Sequence, residues 1–155
     1  MFDISDSDTT EYIASGRVDG TIQNQFSLSE YQGVLRVAST EGQWGRWWMD
    51  NPEPMTSNVV TLQPITDATG HTTLEQIGII EGIAPNETIW SARFVEDRAY
   101  IVTFENMDPL WTIDLSDPTN PTIMGELKTP GVSTYIHPLS NDTLLTCLLY
   151  TSDAA

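Results

Sequence analysis

The sequence predicts an all-β chain, built as a partial β-propeller of about three four-stranded antiparallel blades. Three observations carry this reading. Helical periodicity is nearly absent, and short β-rich runs recur between clusters of Gly, Pro, Asn and Asp. One four-strand meander stands complete from Thr88 to Lys128, a length typical of a propeller blade. Pieces of the same meander recur on either side of it at constant spacing.

The chain begins with "FDISD", Phe2 to Asp6, which echoes "IDLSD", Ile113 to Asp117. Gly20 and Gly131 keep the spacing of Asp3 and Asp114, and a hairpin pattern follows each. Residues 1–18 therefore read as the last two strands of one blade. Residues 22–82 read as a whole blade, with "NVVTLQPI" and "TLEQIGIIEG" as its late strands and an insertion at 41–56.

The third piece, 88–128, is the compact blade. Trp90, Ala92 and Phe94 alternate with Ser91 and Arg93, "EDR" turns the chain, and "AYIVTF" returns. The near-continuous apolar character of that return predicts a sheet covered on both faces. In "PLWTIDLS", Trp111, Ile113 and Leu115 face one way and Thr112, Asp114 and Ser116 the other. "DPTNP" is then a turn, and "TIMGELKT" the fourth strand. Residues 133–146 begin another blade. A single blade cannot bury both faces, so neighbours must stack, and the chain reads as a fragment of a larger ring whose missing blades are its first partners.

A chain of 155 residues has the size of one ordinary domain. Its 22 acidic against 6 basic residues give a net charge of −16. Such a surface repels phosphate backbones and anionic lipid headgroups, which argues against nucleic acid and polybasic membrane docking. The acidity is read as solubility, with cation binding as the alternative. No apolar run reaches the length of about 18 residues that spans a membrane. The start, "MFDISDSDTTEY", has neither a basic nor an apolar signal region, as expected of a fragment that starts mid-protein. Cys147 has no partner for an internal disulfide.

The stretches "EYIASGRVDGTIQNQFSLSEYQGVLRVAST" and "IWSARFVEDRAYIVTFENMDPLWTIDLSDPTNPTIMGELKTPGVSTYIHPL" resemble secreted bacterial proteins with a C-terminal β-propeller domain, distant relatives of WD-repeat proteins. "WTIDLSDPTNPTIMGEL" also looks like an LVIVD-type propeller repeat. The resemblance implies a propeller fold, export and a cell-surface or extracellular role. It carries no catalytic residues, so none is assigned. "CLLYTSDAA", Cys147 to Ala155, departs from the pattern and looks like a translated adapter, a non-native tail.

The best binding candidate is the insertion "EGQWGRWWMDNPEP", where Trp44, Trp47 and Trp48 surround Arg46. Loops projecting from a rigid scaffold are where binding tends to sit, and Trp faces suit sugar rings or a protein partner. The alternative is that these tryptophans pack back on the propeller. For calcium, Asp3, Asp6 and Asp8 are the better candidates and Asp114, Ser116, Asp117 and Asn120 the poorer. Neither loop has the Gly and closing Glu of an EF-type site, and both read first as turns. His71 and His137 lack partners at metal-ligand spacing, and the sequons at Asn86 and Asn141 read as chance matches. The expected function is a non-catalytic, secreted or cell-surface scaffold for protein or carbohydrate binding, with no cofactor. An accessory domain of a secreted hydrolase and a calcium-stabilised structural module are the alternatives.

Overall fold

The structure, a computed structural model, describes residues 1–42, 54–104, 108–129, 131–140 and 142–149. It is all-β, with antiparallel sheets in chain order. The first pairs β1 (Phe2–Asp3) with β2 (Glu11–Tyr12). A 3-10 turn, Gln25–Ser27, capped by the Asn24 side chain, leads into the second. That sheet orders β3 (Leu28–Tyr31), β4 (Val34–Glu41), β5 (Thr56–Thr66) and β6 (Thr72–Ile83). The third orders β7 (Thr88–Val95), β8 (Arg98–Phe104), β9 (Asp108–Asp114) and β10 (Thr122–Thr129). The last pairs β11 (Val132–Ser140) with β12 (Thr143–Leu149).

Sheets stack in sequence, and strand alternation sorts each side chain to one neighbour or the other. In β8, Ala99 and Ile101 point to the second sheet and join Ala38, Val59, Ile83 and Ile113 in one core. Tyr100 and Val102 point the other way, to a core shared with Ile136 and Leu144 of the last sheet. In β4 and β5, Val37, Val60 and Leu62 face the first sheet, where Ala14 and Met1 meet them. Each fully buried Ile or Val contributes roughly 1.5–3 kcal/mol, so the central strands bind their neighbours on both sides, as the apolar run of β8 predicts.

Adjacent sheets meet most closely through their first strands. β7 packs against β11, and the Gln25–Ser27 turn packs against β7. The first strands therefore lie on the converging side, where the channel of a propeller runs.

The turn "LSDPTNP" between β9 and β10 is a strand–turn–strand connection. Asp114 Oδ1 accepts from the Ser116 amide at 2.8 Å, and Asp117 Oδ1 from the Thr119 amide at 3.0 Å and the Thr119 hydroxyl at 2.7 Å. It also docks on the preceding sheet. Thr61 Oγ1 donates to the Pro118 carbonyl at 2.5 Å. Gly78 of β6 lies so close that an added Cβ would sit 2.3 Å from that oxygen. A parallel contact joins the first two sheets: the Leu74 amide donates to the Ser15 carbonyl at 2.9 Å, and a Cβ on Gly16 would sit 2.5 Å from the Leu74 carbonyl.

Candidate binding sites

Trp44, Arg46, Trp47 and Trp48 lie outside the described residues. The roots of their insertion are described, and they are pinned. Asn58, 1% exposed, donates through Nδ2 to Glu41 Oε1 at 2.7 Å and accepts from the Gly82 amide at 3.3 Å. Gly42 has φ +88°, and a Cβ there would sit 2.4 Å from the Pro54 carbonyl, so the two root strands need glycine to close together. The Asn86 amide donates to the Met55 carbonyl at 2.8 Å. A cavity of about 190 Å³ lies at this base, lined by Thr21, Gln23, Thr40, Gly42 and Met55 and by Thr88 and Ile89 of β7.

Trp90 belongs to the same end of the molecule. The register of β7 on β8 slips between Ile89 and Ser91, leaving Trp90 without a direct partner at a β-bulge. The sequence alternation placed Trp90 with Ala92 and Phe94. The bulge instead leaves it exposed, with its ring 5.5 Å from that of Phe104. Bulges commonly re-aim a side chain in this way.

Two of the acidic candidates cap their own backbone turn. Asp3 Oδ1 accepts from the Ser5 amide at 2.8 Å and Asp6 Oδ1 from the Asp8 amide at 2.9 Å. Among the described residues, no group of three His, Cys, Asp or Glu side chains is placed to hold a metal ion. Amide hydrogen bonds hold the Asp3 and Asp114 carboxyls below the usual carboxylate range, through Ser5 and Ser116. Asp67 and Asp117 are lowered chiefly by the hydroxyls of Thr69 and Thr119.

Two arginines that the sequence reading left unassigned organise the sheet junctions. Arg93 of β7 is half-buried on the converging side. Its guanidinium carbon lies 4.4 Å from the Phe26 ring centre and 5.6 Å from that of Tyr135, and Nη2 donates to Tyr135 Oη at 3.3 Å. Phe26 and Tyr135 meet edge-on at 5.7 Å, and His137 stacks on Tyr135. One cation thus ties the first-strand regions of three successive sheets.

Arg36 of β4 is 4% exposed and crosses to the third sheet. Nη1 donates to the Glu96 carbonyl and Nη2 to Ser29 Oγ at 2.7 Å, while Nε is buried without a partner. The rings of Tyr31 and Phe94 each stand 5.2 Å from the guanidinium. Burial lowers its proton affinity, opposed by Glu30, Tyr31 and Asp97, but an arginine stays cationic at physiological pH. Beside it opens a cleft of about 330 Å³. The signal for both residues was in the sequence: the chain has only 6 basic residues, and these two interrupt the apolar strands "VLRVA" and "SARFV".

His71 lies in the β5–β6 turn, where its amide donates to Asp67 Oδ1 at 3.0 Å. Asn86 takes a left-handed backbone with φ +70°. Asn141 lies outside the described residues.

The chain matches the beta propeller domain model over residues 1–147. It is 41% identical over 133 residues to an uncharacterized protein of Methanocaldococcus jannaschii, covering 86% of this chain and 19% of the relative. It is 40% identical over 128 residues to an uncharacterized protein of Archaeoglobus fulgidus, covering 83% and 18%. The chain thus spans about a fifth of the length of these curated relatives. No solved structure matches it. With sequential four-stranded sheets converging on their first strands and a family match across nearly its whole length, the chain belongs to the beta propeller domain family.

Proposed function

We propose that this chain is a non-catalytic binding scaffold that presents the insertion between Glu41 and Thr56 to a protein or carbohydrate ligand outside the cell. The observation that carries the proposal is the pinned base of the insertion. Asn58, Gly42 and the Asn86–Met55 bond hold both roots on a rigid sheet, which limits the ordering cost of binding. Exposed Trp90 adds an aromatic surface at the same end. Export follows the resemblance to secreted propeller proteins, and the LVIVD-type repeat and bacterial setting belong to the same proposal. Both curated relatives are archaeal.

The test is a glycan array and a pull-down from a surface extract with the chain and its Trp44→Ala/Trp47→Ala/Trp48→Ala variant. Capture of the same ligand by both proteins would remove the insertion as the site. A second reading is an accessory domain of a larger exported hydrolase. It is favoured by the length of the relatives, about five times that of the matched region. Hydrolytic activity that maps to another domain and loses substrate affinity on deleting the propeller would support it.

A further inference from the structure

We propose a second binding site, for a neutral saccharide, in the cleft between the second and third sheets at the end opposite the insertion. The length of β4, about 23 Å for its eight residues, separates the two ends. The cleft holds about 330 Å³, at the lower end of the range of small-molecule sites. It is bordered by the β3–β4 turn on one side and by the β7–β8 and β9–β10 turns on the other.

The lining has the composition that hydroxylated rings require. Tyr31 supplies an aromatic wall, suited to the apolar face of a sugar. Gln32 supplies a planar amide from one sheet and Asp97 a carboxylate from the next. The Gln32 side chain has no hydrogen-bond partner among the described residues. The Asp97 carboxylate makes a long contact to Arg98 Nε at 3.9 Å and acts at a distance on Arg36. An amide and a carboxylate facing one space can together take both donor and acceptor roles toward adjacent hydroxyls.

Arg36 makes the site rigid. It sits under Tyr31 and holds the Glu96 carbonyl, fixing the Asp97 turn against the Tyr31 hairpin. Gln32 and Glu96 both hold left-handed backbone, with φ +53° and +46°, so each turn presents its neighbour at a set angle.

Charge selects the ligand class. An anion would meet Asp97, nearby Glu30 and a chain of net charge −16. A cation would meet Arg36. Arg36 is 4% exposed and lies beneath Tyr31, bonded to Glu96 and Ser29, so burial keeps its fork from a carboxylate in the cleft. A neutral polyol meets neither penalty.

The experiment is saturation-transfer NMR and calorimetric titration of the chain with cellobiose, maltose and lactose, with galacturonic acid as a charged probe. At least one neutral disaccharide is expected to bind saturably. Affinity should fall tenfold or more in Asp97→Ala and in Gln32→Gly, the latter chosen because Gly suits the left-handed backbone. It should hold in the triple tryptophan variant. Absence of binding by all three disaccharides, preference for galacturonic acid, or wild-type affinity in both cleft variants would overturn the proposal. Loss confined to the tryptophan variant would move sugar recognition to the insertion and leave this cleft without a ligand.

Discussion

Gly78 shows how one residue sets the contact between whole sheets. Its backbone is ordinary, and what the site forbids is volume, because the Pro118 carbonyl occupies the place of a Cβ. Gly78→Ala is expected to cost about 1–3 kcal/mol by overpacking, read as a lower urea midpoint. Gly125→Ala, where nothing lies within 4 Å, should leave the midpoint unchanged or raised. The aspartates Asp117 and Asp114 were legible as turn formers, because side-chain caps follow from residue type. The docking of the turn was not, since its acceptor is a carbonyl that no side chain announces. The capping aspartates also set an acid limit. Asp3, Asp67, Asp114 and Asp117 have lowered values in the fold. Their contribution is present above the unfolded value near 3.8 and is lost as pH falls through the lower folded values. Thermal stability should thus decline as pH is taken from about 4 downward. Replacing all four by Asn, which keeps the cap acceptor without the titration, should flatten that decline. An unchanged acid limb in the fourfold variant would remove these residues as its cause.

Strands β7 to β10 were readable because each needs one face apolar or both, and the period of two survives in "AYIVTF" and "WTIDLS" and in "IWSARFV" only beyond Trp90. The bulge at Trp90 was hidden for the same reason: an apolar residue at an expected apolar position gives no sign that the register slips. The insertion was legible as a break in the blade pattern, but its anchorage was not. Asn58 lies within "SNVVT", and only the paired strands bring it to Glu41 and Gly82. Asn58→Ala is expected to cost about 1–3 kcal/mol by leaving buried polar partners unsatisfied. It should also speed limited proteolysis between Glu41 and Thr56 more than cleavage elsewhere, which rises only with the loss of global stability. Equal acceleration throughout the chain would mean that Asn58 supports the fold at large and not the insertion roots.

For the whole molecule, the net charge of −16 sets the response to salt. Screening of self-repulsion predicts that Tm rises with sodium chloride. Calcium chloride matched in ionic strength should give the same rise, because no group of three acidic side chains converges among the described residues and Asp3 and Asp6 already cap their own turns. A larger rise with calcium, reversed by chelator and lost in Asp3→Asn/Asp6→Asn/Asp8→Asn, would assign Asp3, Asp6 and Asp8 as a metal site. The outer sheets carry exposed apolar side chains, Phe2, Ile4 and Tyr12 on one and Leu139 and Leu145 on the other, whereas the two inner sheets are covered on both faces. The docking of "SDPTNP" on Gly78 gives the stack a direction. The later sheet carries the turn and the earlier one the glycine that receives it, and one sheet before, strand β6 of the later sheet closes on Gly16 of the earlier segment. As the chain leaves the ribosome, the receiving surface is complete before the turn that fits it is made. Assembly can therefore run as a ratchet from the first sheet to the last, each new blade latching onto one already in place.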